Sequence, residues 1–168
     1  MNINMPENQF DKLTKLCRSS RNELSGIMNA KVHNGEMFIV GAKLEESGII
    51  KSSNSHKIIY NSKEYITNTI YELAFTNSPV YIRFHTHPTF TGILGLSQAD
   101  VDNLKYVQIL SQTVAKSNAT ASTEVIEGIV TDSEIAFYTY DLESDKPIRL
   151  PFFVDRFEKI LSTEKSKF

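Results

Sequence analysis

The richest chemistry in this chain lies in residues 83–102, which read RFHTHPTFTGILGLSQADVD. His85 and His87 stand one residue apart, and Ser97 and Asp100 follow after a short loop. Two imidazoles and a carboxylate are ligands that zinc prefers, and a zinc ion with only three protein ligands keeps an open position for water. These residue types therefore predict a catalytic metal site.

The two histidines fall in a predicted strand over residues 80–87, where apolar residues alternate with the others. Alternation places His85 and His87 on the same face, with side chains roughly 6–7 Å apart. Two imidazole nitrogens can reach one metal from there. The alternative is a pair of partly exposed surface histidines, which the H-x-H motif alone leaves open. Pro88 cannot donate to a sheet ladder, so the strand is predicted to end there.

Ser97 and Asp100 precede a predicted helix over residues 98–116. Ser-x-x-Asp before an apolar-periodic run is typical of a capping box, although Glu or Gln is the usual fourth residue. The capping and metal-binding interpretations are compatible. The helix dipole favours an ionised aspartate in the first turn, and the cap holds that ligand rigidly.

Glu23 lies in the sequence RNELSGI, at the start of the first predicted strand. Considered alone, it is an exposed glutamate at a strand start. A zinc hydrolase, however, needs a carboxylate that does not bind the metal. Such a group accepts a proton from the attacking water and later returns it to the leaving amine.

The remaining segments mix helices and strands. Asn34-Gly35 between two apolar-rich runs predicts a hairpin. This mixture predicts an α/β (α+β) fold, a mixed and largely antiparallel sheet flanked by helices, in one domain over residues 1–168. The predicted elements are a helix at 7–18, strands at 23–33 and 36–44, a loop or weak edge at 45–57, a helix at 63–76, a second hairpin at 124–131 and 134–141, a strand near 148–154 and a helix at 155–162. The helix at 63–76 is predicted to bury one face, which carries Ile66, Ile70, Leu73 and Ala74.

Composition excludes several classes of protein. The chain has 168 residues, 40% hydrophobic and 23% charged, with a net charge of −2. This balance offers no electrostatic footprint for nucleic acid or an acidic membrane. One cysteine, Cys17, allows no internal disulfide and is expected to be a small buried hydrophobe. No secretory signal and no membrane-length apolar run is found, so a cytoplasmic location is predicted.

Glu23 in an E-L-S-G-I context, then H-T-H-P, then S-x-x-D resembles the JAMM (MPN-plus) metalloprotease family. Its signature is a distant Glu, an H-x-H, a short spacer and S-x-x-D. The resemblance covers roughly residues 8–140 and implies a cytidine-deaminase-like core. It also implies a zinc isopeptidase that cleaves at the C-terminal tail of a ubiquitin-like protein or, as in prokaryotic relatives, of a sulfur-carrier protein.

The resemblance assigns a role to each matching residue. His85, His87 and Asp100 would bind Zn²⁺, and Glu23 would be the general base. Ser97 would donate a hydrogen bond to the oxyanion of the tetrahedral intermediate. Family members often pair, so a homodimer is a further expectation.

The chain departs from the family pattern in its loops. Nine residues separate His87 from Ser97, more than the commonest family spacing. Phe90, Ile93 and Leu94 in this apolar loop either line a substrate channel or pack on the core. The segment 45–57 is short for a eukaryotic deubiquitinase, which favours the compact prokaryotic type.

The sequence leaves two alternative functions open. A non-catalytic MPN-type interaction module is one alternative, although such relatives usually lose the ligands that this chain keeps. The other is a zinc hydrolase that acts on a small amide or catalyses a deaminase-like reaction. Nucleobase deamination is disfavoured because those enzymes usually need cysteine ligands and this chain has one cysteine. His33 and His56 are predicted to be exposed and uninvolved. Arg83 either orients a carboxylate or is solvated, and solvation is the favoured interpretation.

Overall fold

The computed structural model describes residues 1–46, 48–88 and 94–155. Over these residues the chain forms ten strands and three helices. The strands are β1 Asn2–Pro6, β2 Ser25–His33, β3 Glu36–Leu44, β4 Ile50–Ser53, β5 Ile58–Tyr60, β6 Val80–Thr86, β7 Glu124–Val130, β8 Ile135–Asp141, β9 Lys146–Leu150 and β10 Phe152–Asp155, and the helices are α1 Glu7–Arg18, α2 Ser62–Phe75 and α3 Gln98–Asn118.

Eight of the described strands form one sheet in the order β10-β1-β3-β2-β6-β7-β8-β9, while β4 and β5 pair separately. Neighbours run antiparallel at β3–β2, β2–β6, β7–β8 and β8–β9. They run parallel at β10–β1, β1–β3 and β6–β7. The predicted fold class, a mixed and mostly antiparallel sheet flanked by helices, is confirmed.

Helices cover both faces of the middle of the sheet. Leu13 and Cys17 of α1 pack with Ile82 and Phe84 on one face. On the other face, α2 and α3 pack around Tyr81 and neighbouring residues. Every residue of β6 is therefore buried, which is typical of a strand covered on both sides. The strand predicted to carry the metal ligands thus lies at the centre of the molecule.

Most predicted elements are confirmed to within about two residues, the usual uncertainty of element ends. At the first hairpin turn, Asn34 and Gly35 adopt φ values of 50° and 75°, the left-handed conformation that this turn requires. Strands β1 and β5 were not predicted, and the segment 45–57, predicted as a loop or weak edge, contains β4, which pairs with β5. The strand expected near 148–154 is two strands, β9 and β10, and residues 156–162 of the predicted C-terminal helix lie outside the described residues.

The buried face of α2 differs from the prediction. Ile70 was expected inside but is 37% exposed, while Tyr65, Thr69 and Leu73 are buried. The Tyr65 ring packs against the Arg83 guanidinium, and its hydroxyl bonds to Asn103 of α3. These contacts rotate the helix away from the face that hydrophobicity alone would choose.

None of the helices in the described part of the chain is long and apolar enough to cross a membrane. The longest, α3, has 21 residues, and its sequence includes charged side chains at Asp100, Asp102, Lys105 and Lys116. This helix packs against α2 and against strands β7 and β8 instead.

Candidate metal centre

Strand β6 brings His85 and His87 to the same face of the sheet, as the alternation predicted. Ser25 of β2 flanks His85 on one side and Ile129 of β7 on the other. His85 is 5% exposed and His87 is 8% exposed. The alternative of two partly exposed surface histidines is therefore wrong, because β6 is a central strand.

Asp100 reaches the same place from the start of α3. The predicted capping box is confirmed: the Ser97 hydroxyl accepts from the Asp100 backbone N–H at 3.2 Å, and Asp100 Oδ2 accepts from the Ser97 backbone N–H at 2.8 Å. Both bonds restrict the carboxylate. The cap thus orients Asp100 toward the histidines on β6.

The three side chains converge. His85 Nε2 lies 3.0 Å from His87 Nε2 and 3.4 Å from Asp100 Oδ1. His87 Nε2 lies 3.9 Å from Asp100 Oδ2. Ligands at about 2.0–2.1 Å from a tetrahedral metal are separated from one another by about 3.3 Å. His85, His87 and Asp100, whose ligand atoms lie within 4.8 Å of one another, could hold a metal ion.

Glu23 faces this group from the segment before β2. Its Oε1 lies 4.0 Å from His87 Nε2, and the residue is only 7% exposed, not exposed as its position alone suggested. The backbone around it is held on two sides. The Glu23 N–H donates to Asn54 O at 2.8 Å, while the Leu24 N–H donates to Thr86 Oγ1 of β6 at 2.8 Å.

Burial and neighbouring charges perturb the acidic groups. Burial, reinforced by Asp100 and opposed by His85, raises the pKa of Glu23 to about 7. Burial alone would raise the pKa of Asp100, but hydrogen bonds from His85 and Ser97 outweigh it and lower that pKa to about 2. Glu23 can thus exchange a proton near neutral pH.

His85 is perturbed in the opposite sense to an ordinary buried histidine. Burial lowers its pKa, but hydrogen bonds to Asp100 and Glu127 outweigh that effect and raise the pKa to about 10. At this pKa His85 is protonated near neutral pH when no metal is bound, and a metal ion would have to displace that proton in order to bind.

Glu127 is a site residue that the sequence reasoning missed. Its Oε1 lies 2.6 Å from His85 Nδ1, and the residue, in β7, is 8% exposed. A carboxylate on Nδ1 fixes the imidazole so that Nε2 faces the metal position. The available signal was a charged residue in the middle of the apolar strand sequence EVIEGIV.

The described residues of the site open into a cleft of about 470 Å³. His56 is exposed as predicted but lines this cleft, whereas His33 lies at the exposed end of β2.

Of the apolar loop between His87 and Ser97, Leu94 is half-buried and its carbonyl accepts from the Tyr138 hydroxyl, while Phe90 and Ile93 lie outside the described residues. One wall comprises Ser55, His56, Lys57, Ile58 and Tyr60, and the other Gly95, Leu96, Ser97, Ala99 and Asn103.

Arg83 is buried, which contradicts the favoured interpretation that it is solvated. It is 2% exposed, and its Nη2 lies 2.6 Å from Glu45 Oε1. This contact is an ion pair by distance and lacks the alignment of a hydrogen bond. The reason for the burial is again the central position of β6, on which every residue is enclosed.

Comparison with known proteins gives a fold and no family. No family model matches the chain, and no curated protein matches it. The chain is similar to the solution structure of the protein DSY2949 from Desulfitobacterium hafniense, with a TM-score of 0.55 and 11% sequence identity. The match covers 91% of this chain and 92% of that chain. At this identity the likeness shows a shared fold alone.

Proposed function

We propose that the protein is a zinc metallopeptidase of the JAMM type that cleaves at the C-terminal tail of a ubiquitin-like or sulfur-carrier protein. The observation that carries this proposal is the convergence of His85, His87 and Asp100, with Glu23 directly beside them in an open cleft. Each residue of the motif that resembles the JAMM signature takes part in this one arrangement.

The donor set fits zinc. Two neutral imidazoles and one carboxylate form a common ligand set of catalytic zinc sites, and the separations of 3.0–3.9 Å between ligand atoms suit tetrahedral coordination. Zinc in such a site polarises a carbonyl and lowers the pKa of water to about 7. Glu127 supports the assignment, because its contact with Nδ1 would orient the ring so that Nε2 faces the metal.

Glu23 serves as the general base in this proposal. Its pKa of about 7 allows Oε1 to accept a proton from water and to return it to the leaving amine at neutral pH. Ser97 serves as an oxyanion donor. Its Oγ accepts the Asp100 N–H, so the hydroxyl proton itself remains available for donation.

We expect the cleft to bind an extended peptide. Its two walls come from the β4–β5 segment and from the start of α3, and the catalytic groups lie between them. A tail added as a strand would gain main-chain hydrogen bonds, and glycines would pass where side chains do not fit. The short segment between β3 and α2 favours the compact prokaryotic type of the family.

The test is cleavage of a ubiquitin-like fusion with a Gly-Gly tail by the zinc-loaded protein. Glu23→Gln is expected to retain zinc but to lose activity by about 100-fold or more, because general-base catalysis contributes about 10²–10⁴. Glu46→Gln, which alters an exposed glutamate, is the matched control and should cleave like the parent. Equal rates for Glu23→Gln and the parent would refute the assignment. Zinc binding without cleavage would favour a non-catalytic MPN-type interaction module.

A further inference from the structure

Arg83 is a buried cation on β6, two residues before His85 and on the same face of the strand. Its Nη1 donates to the Tyr81 hydroxyl at 3.1 Å, and its Nη2 donates to Ser25 Oγ at 3.3 Å and lies 2.6 Å from Glu45 Oε1. The guanidinium carbon also lies 4.6 Å from the centre of the Tyr65 ring and 5.4 Å from that of Tyr60. One side chain on the strand of the metal ligands thus contacts five others.

These contacts lead to both walls of the cleft. Tyr60 lines the cleft on β5, and its hydroxyl is 3.1 Å from Ser25 Oγ at the start of β2, two residues after Glu23. Tyr65 belongs to α2, and its hydroxyl accepts from Asn103 Nδ2 at 2.9 Å. Asn103 lines the opposite wall, one turn of α3 beyond Asp100.

We propose that Arg83 is a positioning residue that holds both walls of the cleft, and the segment bearing Glu23, in a set relation to the histidines of β6. This role rests on the proposed function. Arg83 acts through its contacts with Tyr60, Tyr65 and Ser25, since these residues connect it to the cleft and to the segment that bears Glu23.

The chemistry of arginine suits this task. The guanidinium is a planar fork of five donors that can pair with a carboxylate while stacking on aromatic rings, whereas lysine offers a compact point charge. A fully buried charge is stable only when its partners surround it. The walls supply those partners, so the buried cation favours the arrangement in which β5 and α2 are both docked on β6.

The test removes the ion pair as a unit, because Arg83→Met alone would leave Glu45 charged and buried. The Arg83→Met/Glu45→Leu variant is expected to fold and to bind zinc as the parent does. Hydrogen exchange over residues 50–60 should accelerate about tenfold or more, while exchange over 124–130 stays unchanged. Ile82→Val, on the opposite face of the same strand, is the control and should leave residues 50–60 protected.

Kinetics with the tail fusion separate this role from general destabilisation. The double variant should raise KM by about fivefold or more because the substrate groove loosens, and should also lower kcat because the segment bearing Glu23 loosens, while its zinc content stays that of the parent. Unchanged exchange over residues 50–60 in the folded double variant would overturn the proposal, as would an equal rise across the core. If the double variant does not fold, Arg83→Lys replaces it in the same exchange measurement, where parental protection would overturn the proposal. A parent without cleavage activity would refute the proposed function, while the exchange data would still decide the role of Arg83.

Discussion

Replacing Glu127 tests whether the buried carboxylate supports metal binding. The Glu127–His85 contact of 2.6 Å is short, and both side chains are largely buried. Loss of such a carboxylate typically lowers metal affinity 10–100-fold, which is about 1.4–2.7 kcal/mol. Glu127→Ala should lie in this range. Glu127→Gln keeps an acceptor oxygen for Nδ1–H, so its loss should be smaller, about tenfold or less.

The assay is competition for zinc with a chelator of known affinity, at fixed pH and ionic strength. Glu124→Gln is the matched control, because it removes a carboxylate from the start of the same strand, away from His85. Its affinity should equal that of the parent. An affinity for Glu127→Ala within twofold of the parent, or an equal loss in Glu124→Gln, would refute the argument that Glu127 orients the ligand.

Three further predictions concern the stability of the fold around the site and the reactivity of its one cysteine. Gly26→Ala should lower the free energy of unfolding by about 3 kcal/mol, measured by denaturant titration, since its Cβ would lie 2.2 Å from Lys43 O and 2.5 Å from Phe84 Cε1. Gly41→Ala, whose Cβ would meet nothing within 4 Å, is the control and should change stability little. Cys17 should resist iodoacetamide in the folded protein at pH 8, because burial raises the pKa of its thiol to about 11; rapid alkylation of folded protein, followed by mass spectrometry, would contradict this. Ser97→Ala should lower the free energy of unfolding, measured by thermal denaturation, by about 1 kcal/mol because the helix cap is lost. An unchanged free energy of unfolding would show that the capping bond contributes nothing.

The sequence was sufficient for the local features and for the motif. The positions of His85 and His87 follow from alternation along β6, and the relation between Ser97 and Asp100 follows from capping chemistry. Asn34-Gly35 located the first hairpin because few residues tolerate its backbone conformation. In each case the signal lies within a few neighbouring residues, where local physics determines the structure.

What the sequence did not give depends on contacts between distant segments. Glu127 is 42 residues from His85 in the sequence, and the parallel pairing of β7 with β6 is what brings it to the site. The burial of Arg83 depends on Glu45 and on tyrosines from two other elements. Strand β1 has only five residues and gains its place from β3 and β10 on either side. The periodicity of hydrophobic residues within one segment cannot predict which distant segments pair with it.

Zinc content per chain, by elemental analysis of the purified protein and of Asp100→Ala, tests the central claim most directly. Asp102→Ala is the control, because it changes an exposed aspartate in the same helical turn. The parent and the control should each hold about one zinc, and Asp100→Ala far less, since it lacks one of three ligands. No zinc in the parent after reloading, or equal zinc in Asp100→Ala, would contradict a metal centre at His85, His87 and Asp100.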